Sequence, residues 1–252
     1  MKTKKNTVLL VEPRPYNYLI PILNEYYTHL GDDWNYVFYC GKGTLEIWQG
    51  DEIRRQIRPP VEFRELAVDN FPTALLYSDF MKSKELWESL EGEFVLTIQL
   101  DTWPMNLVPI TTFTALDQSY IGGNMDRGWR EMTRDDIRVR YCNGNGGLSL
   151  RKRLDMIRVV ETFPPEQTTT DSTSLCTDME DVYFYIGCIR LGLPVGDDPV
   201  STTFACHVMP QASFFGIHNP MGPAAYELRS RFPELLERNP FLKLHTAYSV
   251  PI

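Results

Sequence analysis

Two short, unbroken apolar runs constrain this chain more than any other feature: Val8-Leu9-Leu10-Val11 and Phe94-Val95-Leu96-Thr97-Ile98-Gln99-Leu100. Runs of that length without polar alternation suit strands buried on both faces, as in parallel sheets sandwiched by helices. The first run is stopped by Glu12-Pro13-Arg14-Pro15, because proline does not continue a strand interior. The second stops at Asp101. Between them, Leu19, Leu23, Tyr26 and Leu30 recur at helical spacing, and Gly31 supplies a stop. Residues 34–40 are rich in strand formers and close at Gly41, which completes a β-α-β unit. Residues 61–68 predict a third strand. Residues 71–90 predict a helix with Leu76, Phe80, Leu86, Trp87 and Leu90 at its apolar positions. Such alternation favours an α/β fold with a mixed, mainly parallel sheet flanked by helices, whose ligands bind beyond the carboxyl ends of the strands. Asp101 stands at such an end.

The second half is less regular. After Tyr120-Ile121-Gly122-Gly123, residues 124–140 are polar and mixed in charge, too long for a simple connection, and read as a flap. Gly123 and Gly128 would be its hinges and Trp129 its apolar plug. One helix is predicted from near Ser149, carrying Leu150, Leu154 and Ile157. Another is predicted from near Asp178 to Gly192, with Pro194 beyond. Residues 202–208 predict a late strand, and 224–238 a helix broken before Pro233. No linker interrupts the 252 residues, so a single domain is expected.

Charge and cysteine usage exclude several classes. A net charge of −8 offers no broad cationic surface to displace the counterions of a nucleic acid, so no nucleic-acid partner is expected. Cys40, Cys142, Cys176, Cys188 and Cys206 are odd in number and form no C-x-x-C pair, which indicates neither a disulfide framework nor a zinc site. The apolar run behind the basic first residues is too short for a signal-peptide core or a membrane span. A soluble cytoplasmic protein is expected.

Four constellations could carry chemistry. In Gln99-Leu100-Asp101-Thr102-Trp103, a carboxylate at a strand end could hold Mg2+ or Mn2+. It could equally cap the turn before Trp103-Pro104. In Asn143-Gly144-Asn145-Gly146-Gly147-Leu148-Ser149-Leu150-Arg151, the glycines allow close backbone approach, and the helix predicted to follow would offer free N–H groups to an anion or to sugar hydroxyls. The spacing is neither a dinucleotide fingerprint nor a P-loop, and a tight turn before a helix is the alternative. In Thr177-Asp178-Met179-Glu180-Asp181-Val182-Tyr183, Thr177 and Glu180 fit a capping box. Asp181 then stands in a first turn as a candidate general base, or as an ordinary acid favoured by the helix dipole. In Phe214-Phe215-Gly216-Ile217-His218-Asn219-Pro220, His218 is a candidate ligand or a structural histidine. His207 is a weaker candidate, and His29 and His245 are incidental.

In order, Val11-Glu12-Pro13-Arg14, Gln99-Leu100-Asp101-Thr102, the glycine-rich segment, Glu180-Asp181-Val182-Tyr183 and Gly216-Ile217-His218 resemble a glycosyltransferase-like family of unassigned function from microbes and large DNA viruses. The resemblance spans residues 8–218, and the glycine-rich segment is its most specific part. The run from Glu180 through Leu191-Gly192-Leu193-Pro194 is also similar to the acidic motif and helix of β-1,3-galactosyl- and N-acetylglucosaminyltransferases. The resemblance implies a GT-A-like, Rossmann-type fold, with residues 1–101 as the nucleotide-binding half and 102–252 as the acceptor-binding half. It implies catalytic roles for Asp181, as the base of inverting members, and for Glu180 beside it. Donor binding would fall to Glu12, Arg14, Asp101, Thr102, Asn145, Gly146 and Gly147. Asp101, matching the first acid of the D-x-D motif, and His218 would hold Mn2+ or Mg2+ on the donor diphosphate. Arg127 and Arg130 of the flap would meet the same group.

One departure stands out: Trp103 occupies the place of the second D-x-D acid, so either Asp101, His218, the diphosphate and waters suffice, or another acid such as Asp117 reaches in, or metal dependence is weak. The activity implied is hexosyl transfer from a nucleotide diphosphate sugar, a UDP-sugar favoured, to a glycan or other hydroxyl acceptor. The cytoplasm would be a host's if the chain is viral. A sugar nucleotidyltransferase should instead carry a glycine- and arginine/lysine-rich loop where Glu12-Pro13-Arg14-Pro15 stands. A non-catalytic carbohydrate-binding protein derived from a transferase would keep the cleft without turnover.

Overall fold

A computed structural model of the protein describes residues 5–124, 143–165, 179–239 and 242. Six strands form the main sheet: β1 (Asn6–Glu12), β2 (Trp34–Cys40), β3 (Val61–Glu65), β4 (Phe94–Ile98), β6 (Tyr120–Gly123) and β7 (Asn145–Lys152). Their order is β3-β2-β1-β4-β7-β6. The first four run parallel, and β7 lies antiparallel between β4 and β6. A small second sheet joins β5 (Thr102–Pro104), β9 (Gly216–His218) and β8 (Ala205–Cys206). The fold is thus the expected mixed, mainly parallel α/β sheet flanked by helices.

The unbroken apolar runs have the predicted cause. Val8 and Leu10 of β1 and Leu96 and Ile98 of β4 enter one core with helix Leu19–Leu30. Leu9, Val11 and Val95 enter the other, with helices Arg153–Thr162 and Glu180–Arg190. Both faces being buried, both are mainly apolar, with Thr7 and Thr97 as buried exceptions. Gly31 ends the first helix at φ 62°, as its glycine suggested.

Several predicted elements are corrected. The single helix expected over 71–90 is two, Ala74–Met81 and Lys84–Ser89. They break at Ser83, which is extended and turns its hydroxyl onto the Phe80 carbonyl at 2.8 Å, while Trp87 Nε1 donates to Met81 O at 2.8 Å. The helix expected from Ser149 begins only at Arg153, and the glycine-rich segment is itself strand β7. Leu148 and Leu150 are buried in the first core, the two-residue spacing of a strand. Leu154, expected at an apolar helix position, is exposed. Within 202–208, the first three residues of the expected strand are the end of helix Asp198–Phe204. Asp197 caps that helix by accepting from Val200 N, and Pro199 sits in its first turn. Only Ala205 and Cys206 pair as strand. The C-terminal helix is interrupted before Pro233 as expected, giving Gly222–Arg231 and Leu235–Arg238. Helices Leu45–Gln49 and Asp51–Gln56 were not anticipated. Apart from Asn124, the flap lies outside the described residues, as do Cys142, Cys176, Thr177, Asp178 and His245. Among the described residues, no helix is long and apolar enough to cross a membrane.

Candidate functional site

Strands β1 and β4 are parallel neighbours, so the residues that follow them emerge on one edge of the sheet. Glu12, Arg14, Gln99 and Asp101 line a cavity of about 440 Å3, together with Phe71, Ala74 and Tyr77. Arg14 is half-exposed and spent on Glu12: its Nε and Nη2 donate to the two carboxylate oxygens at 2.7 and 2.9 Å, and its backbone N–H adds a third bond at 2.9 Å. Burial of Glu12 explains the need for that fork.

Asp101 reaches the cavity through a turn closed by Thr102, whose hydroxyl donates to Gln99 O at 2.7 Å. Thr102 is fully buried and pairs with His218 in the β5–β9 ladder, and Asn219 N–H donates to Asp101 O at 3.0 Å. This register brings His218 Nε2 to 3.5 Å from Asp101 Oδ1. With bonds of ~2.1 Å that separation is nearer a tetrahedral than an octahedral pairing, so a shift of a few tenths of an ångström would seat the two as neighbours on an octahedral divalent ion. Among the described residues, no three His, Cys, Asp or Glu side chains gather as a fuller set. Asp117, the alternative second acid, is exposed and paired with Lys152, and Trp103 is buried in the core.

The glycines of β7 are required by close approach rather than by a following helix. A Cβ on Gly147 would collide with His218 Nε2 and lie 2.6 Å from Gln99 Oε1. One on Gly146 would collide with Glu180 Oε1 and lie 2.7 Å from Asp181 Cβ. Two adjacent glycines therefore seat the histidine and the acidic pair against one strand. Asn145 is held as well: its Oδ1 accepts Gly147 N–H at 3.3 Å and its Nδ2 meets His207 Nε2 at 3.2 Å.

Asp181 stands at the start of helix Glu180–Arg190. Its Oδ2 accepts Gly146 N–H at 3.1 Å, and its Oδ1 accepts Val182 N–H at 2.8 Å. Burial first, and then the neighbouring Glu180 charge, push its carboxyl up to about 7. The two N–H groups and Arg151 oppose the shift without cancelling it. Glu180 is not the helix cap that Thr177 suggested. The N-cap is Met179, and Glu180 accepts both ends of the fully buried Arg151 guanidinium, at 2.6 and 3.2 Å.

Sequence reasoning missed the roles of two residues here and underrated a third. Arg151 interrupts an apolar strand, a signal hidden by reading a helix from near Ser149. His207 ranks below His218 in the sequence because its partners lie far along the chain. Tyr77, whose hydroxyl accepts from Gln99 Nε2 at 3.1 Å, read as an ordinary helix residue.

No curated protein matches the sequence. Among solved structures, 4-diphosphocytidyl-2C-methyl-D-erythritol synthase from Anaerococcus prevotii DSM 20548 is similar at 10% identity and a TM-score of 0.42, over 67% of this chain and 79% of that one. TarS 1-349 from S. aureus is similar at 13% identity and a TM-score of 0.48, over 97% of this chain and 72% of that one. The family described as "Protein of unknown function (DUF5672)" matches residues 60–224, a span that contains Asp101, the glycine-rich strand, Glu180, Asp181 and His218. The chain belongs to that family.

Proposed function

We propose that this chain is a GT-A-like glycosyltransferase that moves a hexosyl group from a nucleotide diphosphate sugar to an acceptor hydroxyl with inversion. The observation that carries the reading is Asp181. A carboxyl that changes protonation near pH 7, fixed by two backbone N–H groups beside glycines that also seat His218, has the properties of a general base. In the proposed step, Asp181 takes the acceptor hydroxyl proton while the oxygen attacks the anomeric carbon. The bond from that carbon to the phosphate oxygen breaks, and the nucleoside diphosphate leaves with the electron pair. A single displacement inverts the anomeric centre.

The donor nucleotide is assigned to the cavity between Glu12, Arg14 and Asp101. Glu12 and Arg14 cancel each other, and Asp101 leaves the charged lining net negative among the described residues. A diphosphate would be repelled unless a cation came with it. Asp101 and His218 would hold Mn2+ or Mg2+ there, which would neutralise charge on the leaving diphosphate. The same pairing weighs against a nucleotidyltransferase, because the arginine of the loop after β1 is already engaged by Glu12. A carbohydrate-binding protein without turnover has no use for an acid held near neutrality.

Thermal unfolding with UDP-, GDP- and CMP-sugars, with and without Mn2+, tests this reading. At a hundredfold excess over its dissociation constant, the right donor should add about 2.7 kcal/mol of apparent stability, and the gain should shrink with chelator. No stabilisation by any nucleotide sugar would refute it.

A further inference from the structure

Arg151 is fully buried, and its guanidinium lies 4.8 Å from the ring centroid of Tyr120, 5.5 Å from Phe184 and 5.7 Å from Trp87. Buried ion pairs are often no more stable than apolar side chains of the same volume. An arginine kept here therefore points to what it holds. Its Nη1 and Nη2 fork onto Glu180, the residue before Asp181. Its Nη2 also approaches Gly146 O at 3.4 Å, and its Nε donates to Ser149 Oγ at 2.8 Å. The Ser149 hydroxyl in turn donates to Gly146 O at 2.9 Å. Gly146 is the residue whose N–H is on Asp181. One side chain thus grips both the helix start that carries Asp181 and the strand residue that hydrogen-bonds it.

We propose that Arg151 and Glu180 are positioning residues for Asp181, a pair that fixes its carboxylate against Gly146 while each cancels the other's charge. The inference rests on the reading of Asp181 as the base. Glu180 and Arg151 are the charged side chains acting on Asp181 among the described residues, from its own helix and from β7. Tyr120 of β6 and Tyr77 of helix Ala74–Met81 face the same pair, and burial pushes both hydroxyls upward, so they stay neutral. Glu180 raises the proton affinity of Asp181 and Arg151 lowers it, which leaves burial to decide.

The test is the titration of Asp181 in the full chain carrying 13C at the aspartate carboxyl carbons, its resonance assigned with Asp181→Asn. Glu180→Gln leaves the Arg151 charge unopposed and should lower the midpoint from about 7 by about 1 pH unit or more. Arg151→Met combined with Glu180→Gln removes both charges and should bring the midpoint back toward the parent value. In that double variant the Gly146 amide should exchange with solvent about tenfold faster or more, because its clamp is gone. A midpoint unmoved in Glu180→Gln overturns the proposal. If that variant does not fold, unchanged Gly146 exchange in the double variant overturns it. Both readouts need no sugar donor, so a chain that shows these shifts but transfers no sugar faults the transferase reading and leaves the pair standing.

Discussion

His207 packs flat beneath His218, with ring centroids 5.3 Å apart and planes within 16°, and its Nδ1 donates to the His218 carbonyl oxygen at 2.7 Å. A carbonyl oxygen only accepts, so Nδ1 carries the proton and Nε2 is left to accept from Asn145. Burial and the neighbouring His218 lower its pKa to about 4, which keeps the ring neutral in this arrangement. His207→Ala should remove the floor under His218 and the partner of the Asn145 amide, at a cost of about 2–4 kcal/mol. Urea unfolding measures the loss, and Mn2+-dependent stabilisation by nucleotide sugar should fall with it. Retention of both would make His207 incidental.

Gly147→Ala should be more selective. The new Cβ collides with the His218 ring and also crowds Gln99 Oε1, so His218 must move, and the predicted outcome is a folded protein whose donor-induced stabilisation is no longer sensitive to chelator. Unfolding scans with donor, Mn2+ and EDTA decide the matter. Intact chelator sensitivity would remove His218 from the metal role.

The pH dependence of stability follows from Asp181. Its folded-state pKa is raised to about 7, while the unfolded chain releases this proton near the ordinary carboxylate value of about 4. Between those values the folded state binds the extra proton, so stability falls as pH rises through the window, by up to ~4 kcal/mol. Asp181→Asn removes that slope but loses one of the two N–H contacts. The variant should therefore gain on the parent as pH rises, and the gain should vanish below about pH 4. A difference that does not change with pH would mean that folding leaves the proton affinity of Asp181 unchanged.

What the sequence disclosed follows from how many readings each segment permits. Val8-Leu9-Leu10-Val11 and the run ending at Asp101 are buried on both faces, and runs that short between stop signals suit strands of a covered sheet better than helices. Asp101 and Asp181 were found because one ends such a strand and the other begins a helix. The glycine-rich segment misled because Leu150, Leu154 and Ile157 fall at helical spacing although Leu150 belongs to the strand, and the glycines suggested a turn where they serve close packing. The roles of Arg151 and His207 depend on partners distant in the chain, Glu180 for one and Asn145 for the other. No local pattern encodes those meetings.

The cavity mouth gives a further expectation. Arg14→Met leaves the buried Glu12 carboxylate without its fork and makes the lining more negative. Stability should fall by about 1–3 kcal/mol, and the affinity for nucleotide sugar should weaken by about tenfold or more. Isothermal titration separates the two effects. Unchanged affinity in a folded Arg14→Met protein would move the donor elsewhere.

The most direct measurement is release of nucleoside diphosphate from nucleotide sugars, UDP-sugars first, by the parent chain and by Asp181→Asn in the presence of Mn2+ and a hydroxyl acceptor. The account predicts turnover by the parent, with an acidic limb near pH 7, and a loss of about 10²–10⁴-fold in Asp181→Asn with donor binding retained. Equal turnover by the two proteins would contradict the account, as would a parent that binds donors and never turns them over.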